Sequence, residues 1–259
     1  MAIAGRDLKG LLRELRTQKA DCSTRMDTEM AAERIKDCLN TNASARNHRG
    51  APVEISGVFV CDDYLNKYGS ESILKWFQAS RESFVRLRGR VCLPLGGRVT
   101  ISGLVPRDDI PAWLSSIMDH VHETILKPLN LPRPNHALVN AYEPGEGIMA
   151  HEDGPAYTPY ATVLSVGSSC VFDFLSKTRE KAAQIYLPVG SLLLFTDDAY
   201  KHYMHEVRSE KFDSLCPDVL NTENIDPARL GDSVIRSADN VLVRGFRVSI
   251  TMRHVPIAL

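Results

Sequence analysis

Residues 140–174 read NAYEPGEGIMAHEDGPAYTPYATVLSVGSSCVFDF, and the rest of the chain is organised around them. Inside the stretch lies His151-Glu152-Asp153, an H-x-D pair. On extended backbone successive side chains alternate faces, so His151 and Asp153 point the same way. An imidazole and a carboxylate on one face supply two of the three side chains of a 2-His-1-carboxylate metal site. The three letters alone recur by chance, and the surroundings add weight. Pro144, Gly145 and Gly147 form a turn before the pair, and Gly154-Pro155 follows it. Two apolar, strand-like runs come next, Ala161 to Val166 and Cys170 to Phe174. The expected setting is a site at the lip of a β-sheet.

The chain has 259 residues, enough for one large β-rich or mixed domain or for two small ones. Hydrophobic residues make up 44% and charged residues 24%, ordinary values for a soluble globular protein. No run approaches the roughly 18 apolar residues of a membrane span, so no membrane partner is expected. The N-terminal stretch has no apolar core of secretory type, and Asp7 and Glu14 speak against a transit peptide. Cysteines stand at 22, 38, 61, 92, 170 and 216 with no C-x-x-C spacing. That pattern fits reduced thiols in the cytoplasm or nucleus better than a disulfide framework. With a net charge of −1 and a pI near 6.7, a nucleic-acid partner would require a local basic patch.

Working outward, residues 1–50 read as polar and helical. Leu8, Leu11, Leu12 and Leu15 fall on one helix face, and Ala31 to Leu39 suggests a second helix. Asn40 to Pro52 has the composition of a linker. Glu54 to Cys61 reads as a strand and Ser70 to Phe77 as a short helix. Ser83 to Gly103 carries Arg86, Arg88, Arg90 and Arg98 with no acid among them. Alternation of Val85, Leu87 and Val91 with arginine predicts a hairpin with one apolar and one basic face. Such a strip is either a solvated edge or a lid that grips phosphates, with Trp76 and Phe84 close by. Pro111 to Leu129 predicts a helix whose Trp113, Leu114, Ile117, Met118, Val121 and Ile125 face the core. Its His120 and His122 are expected at the surface.

His136 to Tyr142 predicts a strand. Further strands at Ala161–Val166, Cys170–Phe174, 184–187 and 191–196 follow at the short intervals of a sandwich or barrel. Lys201 to Val207 adds His202 and His205. Glu210 to Asn240 is rich in Asp, Asn and Ser and reads as a long surface loop. Val241 to Val255 reads as one final strand. On it Arg247, Ser249, Thr251 and Arg253 share one face, and Phe246, Val248, Ile250 and Met252 the other. Two arginines separated only by hydroxyls suit the wall of an anionic pocket, though a solvated face has the same pattern.

The order N-x-Y, H-x-D, H, then R-x-S-x-T-x-R resembles the AlkB family of iron(II)- and 2-oxoglutarate-dependent dioxygenases, in detail its AlkB-homologue-6 subgroup. The motifs span about 113–255, with a looser likeness over 76–114. The resemblance implies a mainly β (α+β) fold, a double-stranded β-helix or jelly roll with flanking N-terminal helices. It implies Fe(II) on His151, Asp153 and His205, with His202 as the rival for the last position. It implies 2-oxoglutarate and dioxygen as co-substrates. Arg247 would take the distal carboxylate of 2-oxoglutarate and Arg253 would lie near the carboxylate bound to iron. Asn140 and Tyr142 would add hydrogen bonds, and Thr251 would help fix Arg253. The implied organisation is a helical extension and linker (1–52), a strand, helix and basic lid region (53–110), and an oxygenase core (111–259) with an insertion loop at 210–240.

The activity so implied is oxidative N-demethylation of methylated RNA or single-stranded DNA by a monomer, with Arg86, Arg88, Arg90 and Arg98 on the phosphates. A protein side-chain demethylase or hydroxylase is the alternative, and a nucleic-acid-binding module with weak catalysis another. Two departures stand out. The insertion at 210–240 lengthens the gap between His205 and Arg247. Pro155 stands where nucleic-acid-repairing relatives carry an acid, which puts direct reversal of cationic methyl lesions in doubt.

Overall fold

A computed structural model describes residues 35–39, 46–47, 55–236 and 240–257. The predicted Leu8–Leu15 face, most of the second helix and most of the linker lie outside these residues. The two linker residues described, Arg46–Asn47, form the edge strand β1. In chain order there follow β2 (Val58–Cys61), α1 (Lys67–Ala79), β3 (Val85–Leu87), β4 (Arg90–Leu95), β5 (Gly97–Thr100) and β6 (Gly103–Pro106). Next come α2 (Ala112–Val121), β7 (His136–Tyr142), β8 (Ile148–His151), β9 (Tyr160–Val166), β10 (Cys170–Leu175) and β11 (Lys181–Leu187). The chain continues with β12 (Leu192–Thr196), α3 (Asp197–Lys201), β13 (Met204–Val207), β14 (Phe212–Ser214) and β15 (Val219–Leu220). It closes with β16 (Val234–Arg236), β17 (Val241–Val243) and β18 (Arg247–Arg253).

Two sheets carry the fold. The eight-stranded sheet runs β1-β2-β12-β9-β18-β7-β4-β3, and the five-stranded sheet β15-β11-β10-β13-β8. From β7 onward the chain moves repeatedly between them: β7, β9, β12 and β18 lie in the large sheet, β8, β10, β11 and β13 in the small one. The first and last strands of this winding, β7 and β18, pair antiparallel with Arg247 opposite Tyr142 and Arg253 opposite His136. This is a double-stranded β-helix, the jelly roll that the sequence led us to expect.

Period-2 alternation decides which face of the large sheet each residue joins. Val139, Leu164, Val248 and Ile250 face one way and are buried against Ile73 and Phe77 of α1 and Trp113, Ile117 and Val121 of α2. Their neighbours Val163 and Leu193 face the small sheet and pack on Phe172, Phe174 and Ile185. Complete burial of such side chains stabilises by about 1.5–3 kcal/mol each. The large sheet is therefore apolar on its helix side, and on its inner side it is apolar around Val163 and Leu193 and polar along β7 and β18. Trp76 and Phe84 belong to the helix side, where their rings meet edge-on at 6.2 Å. α1 starts where the Asn66 side chain accepts from the Gly69 N–H at 3.0 Å, an N-cap.

Four expectations need correction. The 111–129 helix is regular only to Val121, and a π turn (His122–Leu126) and a 3-10 turn (Lys127–Leu129) complete it. His120 is not a free surface residue: its Nδ1 lies 2.6 Å from the Tyr64 hydroxyl. The run 241–255 is two strands in different sheets, β17 with β14 and β16, and β18 in the large sheet. The break is at Gly245, where a Cβ would come within 2.4 Å of the Asp232 carbonyl oxygen. Finally, 210–240 is no open loop. It contributes β14, β15 and β16, and with β17 it covers the back of the small sheet, burying Leu215, Val219 and Leu242 against Val171 and Tyr186. A buried acid anchors it. Asp213 accepts from Arg244 Nε at 2.6 Å, from Arg208 Nη2 at 3.1 Å and from the Val171 N–H at 3.0 Å.

Candidate functional site

β8 and β13 pair with His151 opposite His205. That register sets the two imidazoles side by side, ring centroids 4.3 Å apart. Asp153 follows β8, and one potential ligand atom from each of His151, Asp153 and His205 lies within 4.8 Å of the others. His202 is elsewhere: it follows α3, two-thirds exposed, with its Nε2 3.8 Å from Asp198. A three-residue offset and the short α3 helix keep it off the inner face.

The protonation states suit a metal. The Met149 carbonyl can only accept, so His151 Nδ1, 2.9 Å away, carries the proton and donates it. Nε2 is left with its lone pair. His205 lies parallel to Phe172, with centroids 5.7 Å apart, and against Phe195. Burial among these rings pushes its pKa down to about 3, with Asp153 pulling the other way, so it is neutral at pH 7. The Asp153 carboxylate is gripped by Arg253, with Nε at 2.7 Å from Oδ2 and Nη2 at 2.5 Å from Oδ1. This two-point fork fixes its orientation. Two imidazoles and an oriented carboxylate are the donor set of a divalent first-row metal, iron included.

Next to this cluster the inner face of the large sheet is polar. Asn140, Tyr142, Arg247, Ser249, Thr251 and Arg253 line one cavity with His151 and His205. Arg247 is its most unusual member. It is 4% exposed, donates from Nη2 to Ser165 Oγ at 2.8 Å, and sits over the Tyr142 ring at 5.6 Å. Its Nε has no hydrogen-bond partner, and among the described residues no carboxylate pairs with it. A buried, unpaired guanidinium is costly unless an anion completes it. The cavity therefore fits a carboxylate-bearing molecule that also reaches the His/Asp/His cluster, which is what a dicarboxylate such as 2-oxoglutarate offers.

The four hairpin arginines separate. β3 and β4 do form a hairpin, closed at Gly89 (φ 78). Its faces are mixed, because Leu87 pairs with Arg90 and Arg86 with Val91. Val85 and Leu87 are exposed. Arg86 is not free of acids: it meets Glu146 from the β7–β8 loop at 2.5 Å. Arg90 turns inward and donates from Nε to Asn140 Oδ1 at 2.9 Å, so it supports the cavity wall. Arg88 and Arg98 are exposed, at the hairpin turn and on β5. Sequence reading missed Phe172, which lines the cavity, and Ser165, which accepts from Arg247; the alternation of β9 and β10 could have supplied both once their inner faces were known.

Comparison with known proteins agrees with this geometry. Residues 98–253 match the model of the 2OG-Fe(II) oxygenase superfamily. The Danio rerio protein named "Probable RNA/DNA demethylase ALKBH6" is 33% identical over 212 residues, covering 77% of this chain and 86% of that protein. The Mus musculus tRNA (carboxymethyluridine(34)-5-O)-methyltransferase ALKBH8 is 31% identical over 157 residues, 60% of this chain but only 23% of ALKBH8. The solved structure of OsALKBH1 has the same fold, with a TM-score of 0.51 and 16% identity over 76% of this chain and 98% of that one.

Proposed function

Because this chain belongs to the 2OG-Fe(II) oxygenase superfamily and is a dioxygenase of AlkB type, we propose that it removes N-methyl groups from single-stranded RNA or DNA, with His151, Asp153 and His205 as its iron ligands. When bound, Fe(II), 2-oxoglutarate and dioxygen supply an oxidation that hydroxylates a methyl carbon while 2-oxoglutarate leaves as succinate and carbon dioxide. A hydroxymethyl group on nitrogen then departs as formaldehyde.

The chain's own residues bind and orient. His151 offers Nε2 because the Met149 carbonyl holds the proton on Nδ1. His205 is kept uncharged by burial. Arg253 holds the Asp153 carboxylate in place and places a positive charge beside it. Arg247 takes the distal carboxylate of 2-oxoglutarate, with Asn140, Tyr142 and Thr251 around it. The observation that carries this reading is the buried guanidinium of Arg247, unpaired, in the same cavity as the His/Asp/His cluster.

Nucleic acid as substrate is supported by the name of the zebrafish relative and by exposed Arg88 and Arg98, neither paired with an acid among the described residues. Oxidation of a protein side chain is the second reading, and pairing of Arg86 with Glu146 and inward turning of Arg90 favour it by thinning the basic strip. We read the protein as a monomer of cytoplasm and nucleus, in keeping with cysteines that are free among the described residues. Succinate release driven by N-methylated oligonucleotides, tested against methylated peptides, is the deciding experiment. Stimulation by peptides alone overturns the nucleic-acid reading, and no iron-dependent succinate from any substrate overturns the site.

A further inference from the structure

A groove of about 430 Å³ opens beside the His/Asp/His cavity, within the size range of small-ligand sites. Leu138 lines both spaces, so the groove adjoins the site. Its wall includes His136 on β7, Tyr157, and Arg98 and Val99 on β5. His136 is 4% exposed, and its Nδ1 is buried with no hydrogen-bond partner among the described residues. Its ring lies 5.9 Å from that of Tyr157, tilted by 49°. The Tyr157 ring is in turn held by Arg253, whose guanidinium carbon stands 4.9 Å from the ring centroid. A flat aromatic wall and an unsatisfied imidazole at the mouth of an oxidising site are the parts needed to hold a planar heterocycle.

The charges around the groove are one-sided. Arg107 is paired with Asp109 at 2.9 Å, and Asp109 also accepts from the Gly96 N–H. Arg253 is paired with Asp153. Arg98 is exposed and has no acid partner among the described residues. Asp109 and Asp153 are thus already engaged, no acid lines the groove, and the unpaired charge among its lining residues is that of Arg98. Such a rim repels a cation and draws a phosphate.

We propose that this groove holds the methylated base and selects uncharged N-methylated bases over cationic ones, with Tyr157 as stacking platform, His136 as hydrogen-bond partner and Arg98 on the adjoining phosphate. The proposal rests on the nucleic-acid reading above and adds the substrate class. Burial and the neighbouring Arg253 hold His136 neutral at pH 7, its pKa down to about 4, so the ring offers one donor and one acceptor. Base stacking on aromatic side chains is tolerant of sequence, whereas a cationic base beside an unpaired arginine is disfavoured.

The test is equilibrium binding of fluorescently labelled single-stranded RNA pentamers to the full chain loaded with Mn(II) and 2-oxoglutarate, read by anisotropy without turnover. The pentamers differ only in the central base: neutral N6-methyladenine or cationic 1-methyladenine. Wild type should bind the neutral base about tenfold more tightly. Arg98→Glu, an exposed change that leaves the interior alone, should narrow or reverse that preference. His136→Leu should weaken the neutral pentamer by about tenfold while leaving the salt dependence of binding unchanged, since no phosphate contact is lost. Equal affinity for the two bases in wild type, or a preference for the cation, overturns the groove assignment and leaves the nucleic-acid reading standing. Loss of salt dependence in His136→Leu overturns its role at the base. Failure of wild type to bind either pentamer overturns the nucleic-acid reading and this proposal with it.

Discussion

Replacing Arg247 with methionine separates a cosubstrate-binding role from a structural one. The guanidinium is 4% exposed, spends one donor on Ser165 Oγ and leaves Nε without a partner. An interaction that serves the fold would lower stability when removed. A charge kept for an anion should instead be a burden in the empty protein, so Arg247→Met should melt at the wild-type temperature or above it. The loss should fall on 2-oxoglutarate. Removing one side of a buried charge-assisted pair costs about 2–5 kcal/mol, equivalent to roughly 30-fold to several-thousand-fold weaker binding. Thermal melts with Mn(II), with and without 2-oxoglutarate, read both quantities at once. At about 100 times its dissociation constant, 2-oxoglutarate stabilises wild type by about 2.7 kcal/mol. For a chain of this size that is roughly 5–10 °C. The same dose should stabilise Arg247→Met by no more than about 0.9 kcal/mol, roughly 2–4 °C, while Mn(II) still binds. A variant that keeps the 2-oxoglutarate shift, or that melts far below wild type with unchanged affinity, would refute the role.

Asp153→Ala should lose Mn(II) or Fe(II) binding while staying folded, but it strands Arg253 at 5% exposure; a drop of about 3–5 kcal/mol in denaturant unfolding is expected, and retained metal affinity would sink the ligand assignment. His202→Ala should keep metal binding, measured by calorimetry, because that ring is exposed and paired with Asp198. Asp213→Asn should destabilise the chain by about 3–5 kcal/mol, since it leaves Arg244 buried with its anion gone, and a neutral result would show that residues 210–243 only lie against the fold. His136 titrates near 4 when folded, against about 6.5 unfolded, so the unfolded state binds the extra proton first. Its contribution is full above pH 6.5 and is lost as pH falls towards 4, by up to about 3 kcal/mol; burial is the main cause of the shift, Arg253 adds to it and Asp109 opposes it, and His136→Leu should flatten that part of the stability curve.

Much of this architecture was legible because strand alternation is a strict rule. The 136–142 run predicted β7 with its bounds intact, and alternation on β18 put Arg247, Ser249, Thr251 and Arg253 on one face as the cavity has them. The H-x-D pair straddles a strand end, with His151 on β8 and Asp153 just after it, and both reach the His/Asp/His cluster. Alternation says nothing about which strand lies opposite, and each misreading sits at such a point. Arg86 looked free because its acid, Glu146, is 60 residues away in sequence. Arg90 looked like part of a basic strip because nothing local shows that β4 pairs with β7, the register that turns it towards Asn140. The 210–240 segment looked like open loop because its hydrophobes are sparse: Leu215 and Val219 are few among Asp, Asn and Ser. They suffice because the back of the small sheet supplies Val171 and Tyr186, and because Asp213 finds Arg244 31 residues on.

That last contact links the insertion to the site. Arg244 and Arg247 approach the same strand end, and both are buried. Asp213 neutralises the first, held by Arg244 Nε and Nη2 together. No described acid neutralises the second. Among the described residues the fold supplies a buried carboxylate to Arg244 and none to Arg247, three residues on, which is the contrast that motivates the proposed anion-binding role of Arg247. The polar composition that made the insertion read as loop is what delivers Asp213.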